Sequence, residues 1–253
     1  MENILIHYLE RPKLREPIFV EGLPGIGNVG KLAAEHLKDE LKATTFAEIH
    51  SKYFPPQVLV LEDGRVKLVS NEMHYVKRTT GKDIIFLTGD YQGLTPEGQY
   101  ELSDFILRQI KELGVKRIFT LGGYGVGRMV TKPRVLGAAT DLELVKEMEV
   151  HGVHFSRGEP GAGIVGASGL LLGLARRYDM QAVCLMGETS GYFVDPKSAQ
   201  VVLEVLTKVL GVQISFEELE NKAKQIDQIT SKLRDLEAAP DVVEKREDLG
   251  YIG

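Results

Sequence analysis

Pro17-Ile-Phe-Val-Glu-Gly-Leu-Pro-Gly-Ile-Gly-Asn-Val-Gly30 carries a short apolar run into a glycine-rich turn and on into the start of a helix. The helix is read from its apolar face, because Val29, Leu32, Ala33, Leu37 and Leu41 recur near 3.6 spacing. Strand, tight turn and amphipathic helix, in that order, are the unit of α/β folds. The unit returns along the chain. Residues 83–88 read as a buried strand, and Thr95-Pro96-Glu97 opens a helix that Gly114 stops. Residues 117–121 form a strand that enters the glycine loop 122–127. Residues 180–186 form another, and Asp195-Pro196 opens a helix over 196–210.

Further strands are expected at 3–8, 17–21 and 43–50, with weaker ones at 133–140 and 151–155 around a helix at 141–149. Another helix is expected at 164–178. Residues 57–61 and 65–70 flank the turn Glu62-Asp63-Gly64, a hairpin that adds an antiparallel element to the sheet. The fold class is therefore α/β, a three-layer α/β/α sandwich with a mixed, largely parallel sheet. No fixed-period repeat or linker interrupts residues 1–212, which read as one domain. Residues 213–239 read as an amphipathic helix: Phe216, Leu219, Ala223, Ile226, Ile229, Leu233 and Leu236 make one narrow stripe that packs on the domain or on a partner helix. Ala238-Ala-Pro240 breaks it, and 240–253 read as a flexible tail.

Composition narrows the function. The 253 residues carry a net charge of -5, which gives no long-range attraction to nucleic acid or an anionic membrane. The single cysteine, Cys184, lies in an apolar run and reads as a packed core thiol. The N-terminus lacks a signal-peptide pattern and no run is long and apolar enough to span a bilayer, so a soluble, cytoplasmic protein is expected.

Fourteen of the 27 glycines fall in residues 22–30, 122–127 and 158–173. Gly25-Ile-Gly27-Asn-Val-Gly30 matches the dinucleotide fingerprint, in which backbone N–H groups meet a phosphate at a helix N-terminus. Glu48 lies about twenty residues on, where the fingerprint wants its acid. It sits within a strand, however, and a hairpin comes next where a Rossmann half would continue with a helix. Gly161-Ala-Gly163-Ile-Val-Gly166 matches a second time. Two matches in one domain weaken the dinucleotide reading of either. They favour tight strand-to-helix junctions gathered at one sheet edge, with packing glycines or a small anion pocket as the alternatives. The pocket candidates are Gly25, Gly27, Gly30, Gly123, Gly125, Gly161 and Gly163.

Catalytic signals are sparse. His7, His36, His50, His74, His151 and His154 show no metal-ligand spacing, and neither metal nor cofactor is expected. Gly166-Ala-Ser168-Gly169 falls one residue short of a nucleophile elbow. Asp90, Glu159, Glu188 and Asp195 are site acids or helix caps, Asp195 before Pro196 being a cap. Arg128 and Lys132 beside the second glycine loop meet an anion or solvent.

Four segments together resemble the PAC2 family, the archaeal homologues of proteasome assembly chaperones. They are Gly22-Leu-Pro-Gly-Ile-Gly-Asn-Val-Gly30, Leu121-Gly-Gly-Tyr-Gly, Gly166-Ala-Ser-Gly-Leu-Leu-Leu-Gly173 and Gly187-Glu-Thr-Ser-Gly-Tyr-Phe-Val-Asp-Pro196. The resemblance implies a sandwich related to nucleoside phosphorylases and a homo-oligomer. It also implies a non-enzymatic, ATP-independent role on the 20S proteasome, through α subunits or the α ring. Members that dock on the α ring use a C-terminal hydrophobic-Tyr-any motif. Here Leu249-Gly250-Tyr251-Ile252-Gly253 places Tyr251 third from the end, a departure that keeps the Tyr, its apolar neighbour Ile252 and the carboxylate of Gly253. An enzyme acting on a phosphate-bearing or nucleoside-like ligand at the glycine turns, and a scaffold with another partner, are the rivals.

Overall fold

Ile18, Phe19, Val20 and Glu21 are all buried, as a strand covered on both faces must be. The computed structural model describes residues 2–155 and 163–237, with backbone alone for residues 227 and 229–237. Its elements are β1 (Ile4–Tyr8), β2 (Ile18–Glu21), α1 (Val29–Glu40), β3 (Thr44–Ser51), β4 (Val58–Val60), β5 (Val66–Leu68), β6 (Asn71–Val76) and β7 (Ile84–Gly89). Next along the chain come α2 (Pro96–Glu112), β8 (Arg117–Gly125), β9 (Val135–Ala139), α3 (Leu142–Val150), α4 (Ala167–Ala175), β10 (Gln181–Thr189), α5 (Pro196–Leu210) and α6 (Glu217–Glu237).

One eight-stranded sheet runs in the order β1-β3-β6-β7-β2-β8-β10-β9. Its centre, β7-β2-β8-β10, is parallel. Its flanks are antiparallel: β6, β3 and β1 on one side, β9 on the other. Alternate side chains of each central strand serve two separate cores. Val20, Phe86, Phe119 and Val183 pack under α1, α3 and α5, and Leu219 of α6 joins them. Phe19, Ile85, Ile118 and Ala182 pack under α2 and α4. The result is the expected three-layer α/β/α arrangement with a mixed sheet.

Helix ends follow their capping residues. Thr95 Oγ1 accepts from the Gly98 N–H at 3.0 Å and Pro96 follows it, so α2 starts there. Asp195 Oδ1 accepts from the Ser198 N–H at 3.0 Å, and Gly211 at φ +62 ends α5.

Four expectations are corrected. The hairpin β4–β5 forms a sheet of its own, so the antiparallel part of the main sheet comes from its flanking strands. One of these, β6, has no counterpart among the expected strands. Residues 122–125 are strand and not loop, because Gly122–Gly125 pair with Met186–Thr189 of β10. Residues 151–155 contribute only a bridge between His154 and Leu136, and α4 begins at Ala167, three residues later than expected. No helix among the described residues is long and apolar enough to cross a membrane.

Candidate functional site

The parallel strands β2, β8 and β10 all end at one edge of the sheet, where α/β folds place their sites. There the turn 22–28 meets the segment 163–166 before α4. Between them lies a cavity of about 310 Å³, lined in part by Leu23, Gln92, Tyr124, Ser168, Cys184 and Met186. Gly25, Gly123, Gly125 and Gly163 border it. Gly161 lies outside the described residues, as do Glu159 and the tail residues Leu249, Tyr251, Ile252 and Gly253.

Gly27 and Gly30 serve packing. A Cβ on Gly30 would sit 2.1 Å from the Leu121 carbonyl oxygen and 2.6 Å from its carbon. Helix α1 therefore rests directly on the backbone of β8, the close helix–strand packing that the third glycine of such a turn permits. Gly27 holds φ +61 with Thr189 Oγ1 2.9 Å from where its Cβ would be. Among the described residues that line the cavity, none is Lys, Arg or His. These described residues offer an anion no countercharge.

Under the cavity, Glu21, Thr120 and Cys184 stand side by side on adjacent strands, on the face covered by α4. Glu21 is fully buried. Its carboxylate accepts from the Leu23 N–H at 3.0 Å and the Ser168 hydroxyl at 2.9 Å. Burial pushes its pKa up to about 7 against these hydrogen bonds. Its oxygens are occupied in holding the turn after β2 and the start of α4. Burial also pushes the Cys184 thiol up to about 12, which leaves it a poor nucleophile.

Gln92 is a second tie. Its Nε2 donates to the Pro24 carbonyl at 2.7 Å, and its Oε1 accepts from the Ala167 N–H at 2.9 Å. Sequence reasoning singled out neither Glu21 nor Gln92. For Glu21 a signal existed: an acid closing an apolar strand just before a glycine turn.

Asp90 and Glu188 have structural partners. Asp90 accepts from the Ser70 N–H at 3.1 Å. Glu188 accepts from Arg134 Nε at 3.0 Å, and that guanidinium holds its carboxyl below the usual range. Arg128, Lys132, Arg134 and Glu188 share a separate recess of about 390 Å³. No group of three or more potential metal ligands gathers among the described residues.

What the edge does present is apolar. Ile26, Met129, Tyr192, Phe193, Val194 and Val165 are exposed. Exposed apolar side chains in such number mark a protein-contact surface more readily than a small-ligand pocket.

Comparison with known proteins is consistent with that character. A model of the PAC2 family matches residues 19–234. An uncharacterized protein of Methanocaldococcus jannaschii, MJ1210, is 42% identical over 245 residues, covering 95% of this chain and 93% of its own. Among solved structures, Pyrococcus furiosus PbaB, an archaeal proteasome activator, superimposes with a TM-score of 0.88 at 41% identity, over 92% of this chain and 100% of that one. Pyrococcus furiosus PbaA, an archaeal homolog of proteasome-assembly chaperone, gives 0.77 at 30% identity, over 93% of each chain.

Proposed function

The chain belongs to the PAC2 family, and from that premise we propose that it acts on the proteasome as a non-enzymatic, ATP-independent assembly chaperone or activator. In this reading it is a homo-oligomer whose body and C-terminal tails engage α subunits of the 20S particle or its α ring. The observation that carries the reading is the likeness to PbaB, at 41% identity across the whole of that structure. The exposed apolar edge supports a binding protein, and the hydrogen bonds that occupy Glu21 and Ser168 support a body without a reaction to run.

Leu249, Tyr251, Ile252 and Gly253 are the anchor in this proposal. A single tail loses entropy when it is ordered on a partner, so one alone binds weakly. Several tails on one oligomer raise the effective concentration and recover affinity. Asp241, Glu244, Glu247 and Asp248 outnumber Lys245 and Arg246, which suits a basic rim on the partner.

The test is to delete residues 249–253 and measure binding to 20S particles and to free α subunits. Binding should be lost with the fold intact. Undiminished binding would remove the tail as anchor, and no binding by the intact chain would remove the proteasome reading itself.

A further inference from the structure

Both ends of the segment between β8 and β9 are tied to the end of β10. The Val126 N–H donates to the Thr189 carbonyl at 2.9 Å, and the Glu188 N–H donates to the Arg134 carbonyl at 3.0 Å. Between these ties Arg128, Met129, Thr131 and Lys132 are exposed. With Arg134 and Glu188 they wall the recess of about 390 Å³. Three cations and one carboxylate line it, a balance of +2 in a chain whose net charge is -5. Arg134 is spent: its Nε donates to Glu188 at 3.0 Å and its backbone N–H at 3.2 Å. Among the described residues, Arg128 and Lys132 have no ion pair or hydrogen bond of their own. Two uncompensated cations at one recess repel each other, and an acidic ligand removes that cost.

The recess shares a wall with an apolar cleft. Met129 and Val130 line both, and Phe193, Val194 and Ile226 line the cleft alone. The cleft holds about 50 Å³, room for the tip of one apolar side chain. Of its charged members, Asp195 is spent capping α5, and Lys197 adds to the positive side. Met129, Phe193 and Val194 are each at least 40% exposed, and the unbranched Met129 can re-pack around a guest. A small inorganic anion would leave this cleft unused. RNA fits worse still, because the negative chain opposes its approach and two free cations release few counterions.

We propose that recess and cleft together dock an acidic peptide segment of a partner protein, with one apolar side chain in the cleft and flanking carboxylates on Arg128 and Lys132. Arg128 can fork a carboxylate, and Lys132 meets one as a point charge. The positive recess selects acidic segments by charge complementarity, and the cleft selects those with an apolar residue beside the acids. This site belongs to the folded body and not to the tail. It goes beyond the proteasome reading and does not rest on it.

The test is fluorescence anisotropy of the full chain with a fluorescein-labelled Glu-Asp-Phe-Asp-Glu peptide. The peptide should bind, and several-fold more weakly as salt rises from about 50 to about 200 mM. Two control peptides, one with amides for all four acids and one with Ala for Phe, should each bind about ten-fold or more weakly. The double variant Arg128→Glu with Lys132→Glu should also lose about ten-fold or more in affinity. Its thermal unfolding should be unchanged, since both side chains are exposed. No binding of the acidic peptide up to about millimolar concentration, equal binding of either control peptide, or undiminished binding by the variant overturns the proposal. So does displacement of the peptide by inorganic phosphate or oligouridylate at equal charge concentration, which would make the recess a general anion or nucleic-acid site. Peptide binding by a chain that does not bind 20S would leave the docking site standing and remove only the proteasome reading.

Discussion

The glycine edge and helix α6 meet at the same end of the molecule and are built in opposite ways. At the edge, backbone lies on backbone: Gly30 against the Leu121 carbonyl, and Gly123 against the Ile26 carbonyl oxygen, 2.2 Å from where its Cβ would be. Nothing there can widen without parting α1 from β8. Helix α6 begins in the core at Leu219 and continues to Glu237. A rigid edge that positions an outgoing helix suits a protein that holds partners more than one that closes on a small ligand. It also assigns the glycine excess to the scaffold.

The largest expected effect tests the edge. Gly30→Ala should cost about 3 kcal/mol or more, or abolish soluble protein, although alanine favours a helix by about 1 kcal/mol. Gly173→Ala, in α4 where a Cβ would meet nothing within 4 Å, should instead gain about 0.5–1 kcal/mol. Chemical denaturation of both variants checks the pair. Similar small effects at the two sites would mean that the edge is less tightly built than described.

A smaller effect concerns pH. Burial holds Glu21 near 7 against an ordinary 4.5, so within that window the folded chain keeps a proton that the unfolded chain releases. Stability from this group falls as pH rises, by about 3 kcal/mol across the window. His74, buried between Thr45 and Thr88, is lowered to about 4 from 6.5 by burial and by the charge of Lys38. It is neutral when folded where the unfolded chain is protonated, so its contribution falls as pH drops from 6.5 to 4. The two slopes oppose each other in the wild type. Glu21→Gln should expose a loss of stability toward acid, and His74→Gln a loss toward neutral pH. Unfolding free energies measured from about pH 4 to 8 read both, and parallel profiles for all three proteins would contradict the assignment.

The smallest expected effect is none. Phosphate, nucleosides and NAD should leave the unfolding temperature unchanged, where a ligand at 100 times its dissociation constant would add about 2.7 kcal/mol. A clear shift with any of them would return the glycine edge to the ligand-binding sites.

Local chemistry made much of this fold legible. Asp195-Pro196 opens α5, which ends at Leu210 as read, and Thr95-Pro96 starts α2 as read. Strand β6 was not legible, because Asn71, Glu72 and His74 look solvent-facing until β3 and β7 supply Thr45 and Thr88 as partners for His74. Strand β8 reads as stopping at Leu121 because glycines signal a turn, yet β10 continues beside it to Thr189 and carries it to Gly125. The glycine motif showed where the turn is. Its purpose depended on the Leu121 carbonyl, far along the chain from Gly30, which no local pattern contains.

The most direct measurement is native mass spectrometry of the intact chain mixed with 20S proteasome, beside the same mixture made with the chain lacking residues 249–253. A chaperone or activator anchored by its tails gives a complex of oligomer and particle with the intact chain and separate species with the truncated one. Separate species in both mixtures, or the same complex in both, would contradict it.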